Sequence, residues 1–127
     1  MKKFLLFSIA GGAGFVVDTA VLYLLKDILG LYGARAISFL LAVLTTWLIN
    51  RSLAFAAQRS DDPIWREFLK YLGAMILGGA VNYAVYAVLV ALFPLVGEHP
   101  IIGVAAGVAA GMLVNFTLAE KLVFRAR

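Results

Sequence analysis

Long apolar segments follow one another along almost the whole chain, with few polar residues between them. A helix rises about 1.5 Å per residue, so about 20 apolar residues are needed to cross the hydrocarbon layer of a bilayer. Four segments meet this length, at residues 4–25, 34–57, 68–93 and 101–124. The pattern predicts an all-α integral membrane protein with four transmembrane helices, forming a single domain over residues 1–127.

The composition supports this class and limits the chemistry. Hydrophobic residues make up 64% of the chain and charged residues 14%, whereas soluble domains average roughly 45–50% and about 25%. The chain has no cysteine, which excludes disulfides and thiol chemistry, and its single histidine cannot form a metal cluster. Because the spans leave no room for a soluble catalytic domain, we expect no enzymatic activity, no metal and no cofactor.

The basic residues are distributed unevenly, which predicts the topology. Most of them lie near the N-terminus, around a central loop over residues 58–62 or near the C-terminus, and only Lys26 and Arg35 lie in the loop between the first two helices. Cytoplasmic loops carry the excess of Lys and Arg. We therefore expect both termini to be cytoplasmic, in the inner membrane of the cell. The net charge of +4 is then a topology signal, and no nucleic-acid partner is expected.

The two halves of the sequence resemble each other. A shift of 64 residues aligns the first helix with the third, and a shift of 69 aligns the second with the fourth. The aligned pairs include Gly14/Gly78, Asp18/Asn82, Ser38/Gly107, Thr46/Asn115 and Phe55/Phe124. Each half is a helical hairpin, over residues 1–57 and 63–127. Two spans return the chain to its starting side, so the repeats are predicted to be parallel, related by a pseudo-two-fold axis along the membrane normal.

Small and polar residues recur every four positions in each span, which places them on one helix face. In lipid, small residues at this spacing mark helix–helix contacts. A polar group facing hydrocarbon costs several kcal/mol unless it is paired, so the polar members are candidates for function as well as for structure. The candidate substrate-binding residues are Asp18, Asn50, Arg51, Asn82 and Asn115.

The candidate residues are predicted to lie at different depths in the membrane. Counting about 1.5 Å per residue from the cytoplasmic ends places Asp18 and Asn82 roughly 20 Å into the membrane. Asn50 and Asn115 fall in the inner half, and Arg51 falls at the rim. The planar guanidinium of Arg51 could contact phosphate through paired hydrogen bonds; the alternative is an anchor that extends to the interface. For Asp18, the structural alternative is a protonated or hydrogen-bonded acid.

Taken in order, these residues resemble the GtrA-like family of small four-span membrane proteins over nearly the whole chain. The features that carry the resemblance are the Phe, Gly and Asp order over residues 4–18, Asn50-Arg51-x-x-x-Phe55, Arg66-Glu67-Phe68 and Asn115-Phe116. The resemblance implies cell-surface polysaccharide synthesis, through translocation of a polyprenyl-phosphate-linked sugar. In that role Arg51 would engage the lipid phosphate, and the acid and the amides would bind the sugar. The chain departs from the family pattern at Thr46-Trp47, where Asn-Phe is common, and at Glu120, where a base is common.

Two other functions fit the same pattern. A small proton-coupled multidrug exporter would use Asp18 to exchange protons for a cation, and a non-transporting subunit would anchor a membrane glycosyltransferase. Four helices of this length enclose little space, so we also expect a homodimer or other homo-oligomer, surrounded by membrane lipids.

Overall fold

The structure is a computed structural model that describes residues 2–56 and 60–124. Within these ranges all regular structure is helical. The helices are α1 (Lys2–Gly30), α2 (Tyr32–Ala54), α3 (Ile64–Leu92), the short α4 (Pro94–Glu98) and α5 (Pro100–Val123). Four of them, α1, α2, α3 and α5, are long and apolar enough to cross a membrane. The predicted all-α fold with four spans is confirmed, while the parallel repeat and the cytoplasmic termini stay predictions.

A single glycine separates α1 from α2. Helical hydrogen bonding continues on both sides of Gly30, which alone has φ 79° and ψ 169°. This backbone region is essentially restricted to glycine, because a Cβ would clash there. The outer turn predicted over residues 26–33 is therefore wrong in extent: residues 26–29 continue α1, and Arg35 lies inside α2 rather than in a loop.

The last turns of α2 and α5 are π-helical. The π segments are Asn50–Ala54 and Ala119–Val123, and in the first of them the Phe55 N–H donates to the Asn50 carbonyl at 2.8 Å. The segments start 69 residues apart (119 − 50), which is the shift that aligns these two spans in the sequence. Because π-helices are rare, their recurrence at equivalent positions indicates that the two spans have related local structures.

The chain divides into two compact units, which are described separately. Unit 1 comprises residues 1–64 and 124–127, and unit 2 comprises residues 65–123. The predicted division into repeats at residues 57 and 63 stays a prediction. Of the basic residues behind the topology prediction, Arg59, Arg125 and Arg127 lie outside the described residues, as do residues 58 and 59 of the predicted central loop.

Aromatic rings form the core of unit 1 at the end where α1 begins and α2 ends. Phe7, Phe55 and Phe124 are almost fully buried. The Phe55 ring stacks on Phe124 with centroids 4.8 Å apart, and Phe7 meets Phe55 edge-on at 6.2 Å. Large apolar side chains elsewhere, such as Leu24 and Ile76, are exposed. This is the surface expected of helices that are solvated by lipid.

Candidate functional site

The acid in the first span has a basic partner. Arg35 Nη1 donates to both carboxylate oxygens of Asp18, at 2.6 Å each. The Asp18 side chain is 19% exposed and that of Arg35 is 56% exposed. Charge-assisted hydrogen bonds of this kind are about twice as strong as neutral ones. Asp18 is therefore one member of an ion pair within unit 1, not an isolated charge.

Sequence reasoning missed Arg35 because it assigned this residue to the outer loop. A usable signal was present: ionisable residues within transmembrane segments usually pair with one another. Asp18 and Arg35 lie on opposite sides of Gly30, which reverses the chain, so a tight turn at that glycine brings their helices together. Arg35 also has donors beyond Nη1, since a guanidinium carries five N–H groups.

Asn50 and Arg51 begin the π segment at the end of α2. Asn50 is 1% exposed, and its carbonyl accepts the hydrogen bond from Phe55. The Arg51 guanidinium lies 5.7 Å from the centre of the Trp47 ring, within the range of a cation–π contact. The π turn therefore buries the amide and places the adjacent cation over an aromatic ring.

A second cation lies at the same end of unit 1. Lys3 Nζ is 5.6 Å from the centre of the Phe55 ring, and Phe55 belongs to the aromatic core. The sequence indicated Lys3 only as part of the basic N-terminus that sets topology. The structure adds that this ammonium, like the guanidinium of Arg51, lies over an aromatic ring that is almost fully buried in the protein.

Glycines of α5 bring it into backbone contact with α3 in unit 2. A Cβ added to Gly107 would lie 2.5 Å from both the backbone oxygen and the side-chain Oδ1 of Asn82. A Cβ on Gly111 would lie 2.7 Å from the Gly78 carbonyl oxygen and 2.8 Å from the Cβ of Asn82. Ordinary carbon contacts start at 3.4 Å. The prediction that these small residues pack helices together is confirmed for α3 and α5, and we call this contact the α3–α5 seam.

The second amide of unit 2 lies on the same seam. A Cβ on Gly78 would collide with the Asn115 amide. Asn115 Oδ1 is buried and has no hydrogen-bond partner among the described residues. This oxygen lies where a side chain at residue 78 would begin, so the amide packs directly against the Gly78 backbone. Asn82 and Asn115 are thus both packing residues, on opposite sides of the seam.

The same kind of contact recurs in unit 1. A Cβ on Gly14 would collide with the Thr46 side chain and would lie 3.4 Å from the Ala42 carbonyl oxygen. Gly14 and Thr46 are the sequence equivalents of Gly78 and Asn115 (14 + 64 = 78; 46 + 69 = 115). Each unit therefore contains a helix pair that closes on a glycine at the same place in its half of the sequence.

A groove of about 270 Å³ runs beside the α3–α5 seam. The Tyr83 and Tyr86 rings have centroids 6.4 Å apart. Among the described residues, those that line this groove include no Asp, Glu, Lys, Arg or His; they are Gly79, Asn82, Tyr83, Tyr86, Val104 and Val108. We call it the tyrosine groove. Unit 2 has a second groove, of about 320 Å³, lined by Lys70, Gly73, Ala74, Leu77, Leu118 and Leu122.

The five predicted site residues fall into three local settings. Asp18 pairs with Arg35, Asn50 and Arg51 are neighbours at the end of α2, and Asn82 and Asn115 share the α3–α5 seam. Substrate binding by any of them stays a prediction, and so does a common layer formed by Asp18 and Asn82.

Four apolar spans with polar side chains set into their helix pairs define a small polytopic membrane protein. The family described as GtrA/DPMS, transmembrane domain, matches residues 6–126, and the chain belongs to this family. The resemblance found in the sequence is thereby confirmed. No curated protein matches the chain at a significant level. Membership supports a membrane function related to glycosyl carrier lipids.

Proposed function

We propose that this protein moves a polyprenyl-phosphate-linked sugar between the leaflets of the inner membrane, with both termini cytoplasmic and without chemical conversion of the substrate. The observation that carries the proposal is the set of polar and charged side chains inside the four apolar spans. Polar groups at such depth are costly and commonly mark a substrate pathway. In a family connected with glycosyl carrier lipids, the expected substrate is such a lipid.

Arg51 is the proposed contact for the lipid phosphate. It lies at the end of a span, and the Trp47 ring below it restricts the directions that its guanidinium can take. A guanidinium in a defined orientation can form two parallel hydrogen bonds with phosphate oxygens. The π turn at the end of α2 sets the direction in which Arg51 leaves the helix, next to Trp47.

Hydrogen bonds from the deeper polar residues are the proposed contacts for the sugar. Asp18 and Arg35 offer the carboxylate and the unused guanidinium donors, and Arg35 is more than half exposed. Asn82 offers its amide where it lines the tyrosine groove. Asn50 and Asn115 have buried side-chain oxygens, so their proposed contacts with the sugar require the surrounding helices to open. A hydroxyl-rich head group loses its water in the bilayer, so that each replacement hydrogen bond lowers the barrier to crossing.

The ion pair weighs against the cation-exporter alternative. Both carboxylate oxygens of Asp18 accept hydrogen bonds from Arg35, so a cationic substrate would have to displace a guanidinium. The remaining alternative, a non-transporting anchor for a glycosyltransferase, makes a different prediction: the purified protein alone would move no lipid.

The test is a translocation assay with purified protein in liposomes. The probe is neryl-phosphoryl glucose, a short polyprenyl-phosphate sugar, with a tritium label in the glucose. Periodate, which does not cross the bilayer, oxidises the sugars that face outward, and the loss of protected label over time reports translocation. We expect the wild-type protein to move the probe faster than empty liposomes do, and we expect Arg51→Gln to slow this movement roughly tenfold, since hydrogen bonds to charged groups contribute about 1.5–3 kcal/mol.

Arg66→Gln is the matched control. Arg66 also lies over a tryptophan, with its guanidinium 5.3 Å from the Trp65 ring, but it stands at the start of α3 in unit 2. We expect its loss to change the rate less than twofold. Wild-type rates equal to those of empty liposomes, for glucose, galactose and mannose probes alike, would overturn the proposal. Equal slowing by both substitutions would show that Arg51 acts only as a general interfacial cation. The mass of the protein in lipid nanodiscs tests the expected homodimer or other homo-oligomer.

A further inference from the structure

The tyrosine groove is a part of the unit 2 surface that is lined by uncharged polar side chains. It offers one amide and two phenols, and Tyr83 is 72% exposed. Hydroxyls and amides that face hydrocarbon without a partner are costly. A polar occupant would remove that cost. The described residues that line the groove carry no full charge, so its chemistry suits an uncharged occupant better than a phosphate or an ammonium group.

The equivalent place in unit 1 has charged side chains and two phenylalanines, and it lacks both tyrosines, whose equivalents are Thr19 and Leu22. The sequence equivalents of Gly79, Asn82, Val104 and Val108 are Phe15, Asp18, Arg35 and Phe39. Arg35 at this place reaches Asp18 and forms the ion pair, whereas Val104 is too short to reach Asn82 in the same way. In unit 1 the two polar positions are thus engaged with each other, and in unit 2 the corresponding amide lines an open groove.

We propose that the tyrosine groove is the sugar site of unit 2 and that it holds one neutral hexose ring of the lipid-linked sugar. This inference rests on the proposed function and assigns a place to the sugar. The exposed Tyr83 ring offers a flat surface for the apolar face of a hexose, and the phenols and the Asn82 amide offer donors and acceptors for its hydroxyls. The volume of about 270 Å³ lies just below the usual range of small-molecule sites, about 300–1,000 Å³, which suits one ring rather than an oligosaccharide.

Gly79 provides the space for the ring. Nothing lies within 4 Å of the position that its Cβ would take, so the backbone of α3 is open to the groove at this point. A large side chain at residue 79 would enter the groove without disturbing the α3–α5 seam. This makes Gly79→Leu a selective block. Tyr83→Leu removes the exposed ring, and Tyr83→Phe keeps the ring while removing only the hydroxyl.

The experiment compares binding of two tritiated probes to purified protein in nanodiscs, neryl-phosphoryl glucose and neryl phosphate without sugar. We expect Gly79→Leu and Tyr83→Leu each to weaken binding of the glucosyl lipid about tenfold or more, while neryl phosphate binds within twofold of wild type. Tyr83→Phe should bind the glucosyl lipid within about threefold of wild type. The matched control is Gly12→Leu, the same exchange at an exposed glycine of unit 1 with nothing within 4 Å. Circular dichroism checks that each variant keeps its helical content.

Three results would overturn the inference. Equal weakening of both probes would mean that the groove holds the prenyl chain or the phosphate. Unchanged binding in Gly79→Leu and Tyr83→Leu would mean that the tyrosines are interfacial anchors. Equal binding of both probes by the wild type would mean that the sugar is not recognised at all. The translocation assay keeps the two proposals separate. If the groove variants weaken binding but the wild-type protein moves no lipid, only the proposed translocation is refuted. If the protein moves the lipid and the groove variants bind and move it as well as the wild type, only the sugar site is refuted.

Discussion

Gly107→Ala is expected to force α3 and α5 apart. The new methyl carbon would lie 2.5 Å from the backbone oxygen of Asn82, against the 3.4 Å at which ordinary contacts begin, a shortfall of 0.9 Å (3.4 − 2.5). A carbonyl oxygen inside a helix cannot rotate away as a side chain can. Relief therefore requires separation of the two helices along the seam.

The cost can be bounded from this geometry. A gap of about 0.5–1 Å forfeits a quarter to a half of the dispersion energy of the contacts that it opens, and overpacking a tight interface typically costs about 1–3 kcal/mol. With a rigid backbone as the obstacle, we take the upper end, about 3 kcal/mol. Alanine is the better helix former by about 1 kcal/mol. We therefore expect Gly107→Ala to lower the free energy of unfolding by about 2 kcal/mol.

Gly79→Ala is the control that isolates the contact. It makes the same exchange on the partner helix, at a position with nothing within 4 Å, so only the gain in helix propensity remains. Its stability should be unchanged or about 1 kcal/mol higher. The assay is equilibrium unfolding in mixed micelles with increasing sodium dodecyl sulfate, followed by circular dichroism. If Gly107→Ala proved as stable as Gly79→Ala, the backbone contact at the seam would be refuted.

Three further predictions concern unit 1. Asp18→Asn and Arg35→Gln should each destabilise the protein, and a double-mutant cycle in the same unfolding assay should give a coupling of about 2 kcal/mol, between the values for exposed and buried ion pairs; additive effects would contradict the pair. Gly30→Ala should cost about 1–3 kcal/mol, because its φ and ψ lie in a region restricted to glycine; an unchanged midpoint would contradict the kink. Phe124→Ala should cost about 3–5 kcal/mol and should be less than additive with Phe55→Ala, since the two buried rings stack; full additivity would count against the stack.

The spans and their small-residue faces could be predicted from the sequence because both depend on local composition. Four long apolar segments leave few alternatives to four helices in a membrane. The four-residue spacing of Gly103, Gly107 and Gly111 places them on one face of any α-helix, and the structure buries all three. Even the internal repeat indicated which glycines matter, since Gly14 and Gly78 form equivalent contacts.

The features that the sequence did not predict depend on the exact residues at which helices end and on how two helices pack together. The outer turn was placed too broadly, because the apolar pattern does not show that Gly30 alone can break a helix. Arg35, next to the predicted start of the second span, was counted with the loop for the same reason. The π turns follow from a hydrogen-bond shift at Asn50 that the residue pattern does not encode. The tyrosine groove is a space between α3 and α5. Because its shape depends on both helices, neither Tyr83 nor Val104 by itself predicts it.

The two units use one helical frame for different chemistry. In both, a glycine of the first helix closes on a polar residue of the second, at Gly14 with Thr46 and at Gly78 with Asn115. Small residues are sufficient for this close packing. Residues next to the contact can therefore differ between the two units. Unit 1 has an arginine at one of them, and its charge is neutralised by the acid across the hairpin. Unit 2 has Val104 there, whose small uncharged side chain neither pairs with Asn82 nor fills the space beside it. An uncharged groove therefore remains. In unit 1 the ion pair thus stands where unit 2 has the uncharged groove. The two halves therefore differ at the place proposed for the sugar, and the Gly79→Leu and Tyr83→Leu variants measure what that difference contributes to binding.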